Sequence, residues 1–122
     1  MERLGAMTKI TMLLARGPGL PEGDLNDRLV VQAQLTAQGH MDRDAAFMDP
    51  APWYSRRERP GQGTKALELV LLDEAWFLRG VDGDDDPLWA FEANILRPGE
   101  PVVLRRPDGE ALIFRIVASE AG

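Results

Sequence analysis

Along the run Leu29 to Gln38, the residues Leu29, Val31, Ala33, Leu35 and Ala37 fall on one parity, and Gln32, Gln34, Thr36 and Gln38 fall on the other. A period of two puts successive side chains on opposite faces of an extended chain, so this run predicts a half-buried strand ended by Gly39. The same period recurs elsewhere. Lys9 to Ala15 carries Ile10, Met12 and Leu14 on one face, and Lys65 to Leu72 alternates Leu67, Leu69 and Leu71 with Glu68, Val70 and Leu72. Ala75 to Arg79 returns from a turn at Asp73-Glu74, and Leu88 to Leu96 places Trp89, Phe91, Ala93 and Ile95 together. Strands of this kind need partners on both sides or a covered face, which constrains the chain to sheet architecture.

Turn chemistry fills the gaps between these runs. Pro98-Gly99 suits a type II turn, with proline at the second position and glycine supplying a positive φ at the third. Pro107-Asp108-Gly109-Glu110 lies between the β-rich runs Pro101 to Arg106 and Ala111 to Val117, which predicts a hairpin. Only Met41 to Met48 reads as helix, with Asp42 as N-cap and Pro50 and Pro52 preventing extension. About seven strands with turns at short intervals predict a mainly β fold, an antiparallel sandwich or small barrel with one short helix.

The chain has 122 residues, of which 44% are hydrophobic, enough for one core. A single β-rich domain is expected over residues 8–118, between a flexible tail at 1–7 and a short C-terminal tail at 119–122. The net charge of −6 argues against nucleic-acid binding, which rests on Lys and Arg. Cysteine is absent, which removes disulfides, thiolate zinc sites and a thiol nucleophile. The apolar run near the N-terminus is interrupted by Thr8, Lys9 and Thr11 and stops at Arg16, too short for a signal peptide, and no run is long enough to span a membrane. A cytoplasmic location without membrane attachment is the expectation.

Four groups of residues are candidates for chemistry. Asp82, Asp84 and Asp86 have the alternate-residue spacing with which a calcium loop begins. The rest of that pattern fails, since Pro87 stands where glycine is needed and Ala93 where glutamate is needed, so a solvated turn competes with a metal site. Arg56, Arg57 and Arg59 beside a Gly-rich turn offer guanidinium forks for an anion, with Trp53 and Trp89 as aromatic walls. A polar edge strand and its turn is the competing reading for the arginines, and an ordinary core or a self-association patch for the aromatics. His40 is the only histidine, and with Ser55 and Ser119 scattered no hydrolytic triad is legible; no catalytic residue and no cofactor are assigned.

From Asp85-Asp86-Pro87-Leu88-Trp89 through RPGEPVVLRRPDGEALIFRIV, the last third of the chain resembles a group of small alphaproteobacterial proteins of unknown function. The resemblance rests on the Pro-Gly-Glu turn, the strand after it and the Asp-Gly hairpin. It implies a bacterial cytoplasmic protein and assigns no activity. The reading is therefore a non-enzymatic binding or protein-interaction module, with homodimerisation through an exposed edge strand as one use of its surface. The alternative is a small ligand-binding barrel or enzyme whose anionic molecule is held by Arg56, Arg57 and Arg59. What separates the two is whether those arginines converge with Trp53 or Trp89 on one concavity.

Overall fold

The computed structural model describes residues 7–48, 53–81 and 88–121. Its strands are β1 (Thr8–Arg16), β2 (Asp24–Ala33), β3 (Trp53–Arg59), β4 (Gly63–Leu72), β5 (Ala75–Gly80), β6 (Trp89–Ala93), β7 (Pro101–Arg105) and β8 (Ala111–Ala121), with one helix, α1 (Arg43–Met48). Each strand pairs antiparallel with the one before it, and β8 returns to β1, so the sheet closes as a barrel in simple chain order. The barrel is one of the two architectures that the strand pattern predicts.

Inward positions follow the alternation. Ile10, Met12 and Leu14 of β1, Leu29, Val31 and Ala33 of β2, Leu67 and Leu69 of β4, and Phe114 and Ile116 of β8 form one buried core. Asp42 caps α1, its Oδ1 accepting from the Ala45 amide at 3.1 Å. Both predicted turns form, with Gly99 and Gly109 each at φ 95°. In the second, the Arg106 amide donates to the Glu110 carbonyl at 2.8 Å and the Gly109 amide to the Arg106 carbonyl at 2.9 Å, leaving three residues at the tip.

Several boundaries differ from the sequence reading; β6, read as Leu88 to Leu96, stops at Ala93. β2 starts at Asp24 and stops at Ala33, although the alternation runs on to Gln38. Beyond Ala33 the backbone folds on itself, with the Asp42 amide on the Gln34 carbonyl and the Thr36 amide on the His40 carbonyl, and Leu35 keeps only an isolated bridge to Met41. β8 continues to Ala121 and pairs with Thr8, Lys9 and Ile10, so residues 119–121 are sheet rather than tail. The segment read as a polar edge is β3, an additional strand paired to β2 on one side and β4 on the other. A closed barrel leaves none of the described strands as an edge, so dimerisation by edge pairing has no strand to use.

The ladder is irregular where it matters for the site. Between β1 and β2 the register jumps from Leu13↔Arg28 to Leu14↔Asp24, so Leu25, Asn26 and Asp27 stand opposite no residue of β1. Bulges of this kind re-aim side chains at barrel rims. Gly23 makes the approach possible: a Cβ there would overlap the Leu14 carbonyl oxygen, and its φ is 75°.

Candidate functional site

Antiparallel order sends alternate strand ends to the same rim. At one rim lie the end of β3, the start of β4, the start of β6 and the end of β7. Following the inward parity of each strand toward it, the apolar residues give way to basic ones. On β3 the inward series is Trp53, Ser55, Arg57, Arg59; on β4 it is Leu69, Leu67, Lys65; past the end of β7 it is Val102, Leu104, Arg106. The period of two that builds the core also carries these cations to the inner wall.

They surround a cavity of about 380 Å³, lined by Arg57, Arg59, Lys65 and Arg106 around Leu67, Leu78, Leu104 and Trp89, with Gln62, Gly63, Arg79 and Gly80 completing the rim. No carboxylate is among these residues, in a chain of net charge −6. Arg79 borders the cavity, but its Nε donates to Glu68 at 3.1 Å on the neighbouring strand.

The four inward cations are held differently. Arg57 is bound by Asp27 through two hydrogen bonds, Nε to Oδ1 at 2.9 Å and a terminal nitrogen to Oδ2 at 2.7 Å. Both side chains are largely buried, 13% and 7% exposed, and the guanidinium lies 5.6 Å from the centre of the Phe114 ring. A bidentate pair of this type fixes the Arg57 fork in one orientation. Arg106 lies over the Trp89 ring at 5.4 Å. One terminal nitrogen of Arg106 is 3.5 Å from Glu110, yet its Nε is buried without a hydrogen-bond acceptor among the described residues, Asp108 being 4.0 Å away. Arg59 has no ion pair among the described residues, and Lys65 has a partner.

On the outer surface the pattern reverses. Arg28 and Arg56 both reach Glu58, Arg79 reaches Glu68, Arg105 reaches Glu92 and Lys9 reaches Glu120. The hydrogen bond from Arg105 to Glu92, and then their charge attraction, raise the Arg105 pKa above its ordinary value. Outward cations are thus paired with acids of their own or neighbouring strands, whereas on the inner wall Arg59 has no ion pair among the described residues.

The structure brings together three of the five residues that the sequence singles out for ligand binding: Arg57, Arg59 and Trp89. Arg56 has the opposite parity and faces outward, donating to Glu58 at 3.0 Å beside a shallow depression with Val30, Gln32 and Tyr54. Trp53 shares the inward parity but sits at the other end of β3, where its ring stacks on Trp76 with centroids 4.9 Å apart. Consecutive arginines cannot share a wall in a strand, and inward residues four apart are separated by roughly 13 Å. Asp82, Asp84 and Asp86 lie outside the described residues, and among those described no cluster of acids and histidine is arranged to hold a metal. Asp27, Lys65 and Arg106 escape the sequence reading; the signal for them is the inward parity of their strands extended past the apolar run.

Compared with protein-family models, with curated proteins and with solved structures, the chain has no match.

Proposed function

We propose that this protein is a small binding barrel that takes an anionic ligand at its basic rim. The observation that carries the reading is the convergence of Arg57, Arg59, Lys65 and Arg106 with Trp89 on one cavity whose lining has no carboxylate among the described residues. It is the convergence that favours a ligand site over a set of exposed arginines. Low-dielectric walls concentrate the field of such charges, and Arg59, which has no ion pair among the described residues, can give an arriving anion charge-assisted hydrogen bonds.

The test is a thermal-shift panel of phosphate, sulfonate and carboxylate anions on the wild-type chain, on Arg59→Ala and on Arg105→Ala. A ligand selective for the folded state raises Tm, by the equivalent of about 2.7 kcal/mol at a hundred times its Kd. At least one anion class should stabilise the wild type and Arg105→Ala, whose substituted side chain faces outward, and should stabilise Arg59→Ala far less. Equal shifts in all three proteins would sink the inner-wall site.

A further inference from the structure

We infer that the anion is amphipathic: a single negative head on a compact apolar body, bound with the body inward and the head at the rim. The inference rests on the anion-binding reading above and deepens it. Its basis is the step in chemistry along the inner wall. On β4, Leu67 is followed rimward by Lys65, and from β7, Leu104 is followed by Arg106, each two residues on. Two residues of strand are roughly 6.5–7 Å, so apolar wall and cationic rim are separated by about the length of an aromatic ring or a six-carbon chain.

Arg57 stands directly opposite Lys65 in the β3–β4 register, and Asp27 already neutralises it through both carboxylate oxygens at 2.9 and 2.7 Å. Inward of that pair, Leu67 and Leu104 face the cavity. Leu78 and the Trp89 ring complete an apolar surface there. A bare phosphate at the rim would leave this surface wet and gain nothing from it, whereas a hydrocarbon body would remove it from water at about 25 cal/mol per Å². Size narrows the class further. At about 380 Å³ the cavity lies near the bottom of the ~300–1,000 Å³ range of ligand pockets, which suits a small carboxylate or sulfonate and not a dinucleotide or long-chain lipid.

The head and the body can be varied separately by isothermal titration calorimetry of the full chain with octanoate, 1-octanol and inorganic phosphate. Octanoate should bind roughly tenfold or more tightly than either of the others, the margin expected for charge-assisted hydrogen bonds added to apolar burial. Its affinity should fall by a similar factor in Arg59→Ala and stay unchanged in Arg105→Ala. If phosphate binds as well as octanoate, or better, and still depends on Arg59, the anion site stands and its amphipathic character is overturned. Octanol matching octanoate would overturn both readings, because the head would then contribute nothing. Absence of binding by all three would also overturn both.

Discussion

At the helix-bearing end of the barrel, Trp53 stacks on Trp76 and the connecting segments are bonded to one another. The Leu96 amide donates to the Gly39 carbonyl at 2.9 Å, the His40 Nδ1 meets the Asn94 carbonyl at 2.9 Å, and Arg97 donates to the Gln38 carbonyl at 3.2 Å. Arg43 at the start of α1 reaches across to the Glu74 carbonyl at 2.9 Å, tying the helix to the β4–β5 turn. Leu35, Met41, Ala46 and Leu96 pack over the core beneath. At the opposite end, the backbone hydrogen bonds of the described loops stay within each loop: Gly17 with Leu20, Gly23 with Leu20, Gln62 with Arg59, Gly109 with Arg106. One end is sealed by apolar side chains and interlocked connections. The other keeps a cavity walled by cations. The contrast teaches where this small barrel puts its stability and where it leaves binding energy available, since lining a cavity with charges contributes little to folding and leaves donors for a ligand.

Substitutions at each end should separate these roles. The largest effect belongs to the sealed end: Trp53→Ala removes a buried, stacked ring and should cost about 3–5 kcal/mol in urea unfolding. A loss under about 1 kcal/mol would mean that the aromatic plug is dispensable and the contrast false. Asp27→Asn, at the open end, should cost less, about 2–3 kcal/mol, because Arg57 stays buried with a weakened partner. The same variant should bind octanoate more tightly, Arg57 having been freed of its counter-charge. Unchanged affinity alongside lost stability would restrict Arg57 to a structural role.

The smallest effect runs the other way. Asp73 and Glu74 occupy the β4–β5 turn with φ of 49° and 68°, a left-handed pair that suits a two-residue hairpin but strains residues with a Cβ. Glu74→Gly relieves that strain while keeping the carbonyl that Arg43 binds, so it should raise stability by about 1 kcal/mol. Ligand binding at the far rim should not change. A shift in octanoate affinity with this variant would show that the two ends are coupled.

Much of the fold was legible residue by residue. The alternation in Lys9 to Ala15 and Lys65 to Leu72, the Pro98-Gly99 turn and the Asp108-Gly109 hairpin all reflect local geometry, and each recurs in the structure at its predicted place. β3 was not legible as an interior strand, because Arg56, Arg57, Glu58 and Arg59 look solvent-exposed unless an inner wall needs charge. The end of β2 was misplaced because Leu35 does contact the core, as its parity requires, but from a connection bent back over the barrel end. For the site, Arg57, Arg59 and Trp89 could be picked out as residue types. Their true companions, Asp27, Lys65 and Arg106, come from other strands, and only register brings them to the same rim.

By itself the sequence determined strand periodicity, turn positions, the cap of α1 and the parity of the apolar inward side chains of β1 and β4, since these depend on neighbours a few residues away. Tertiary structure alone decided that the sheet closes, which rim each strand end reaches, and that Arg57 finds Asp27 while Trp53 finds Trp76. Those outcomes depend on pairing between strands far apart in the chain, where a shift of one residue would turn each inward cation out into water.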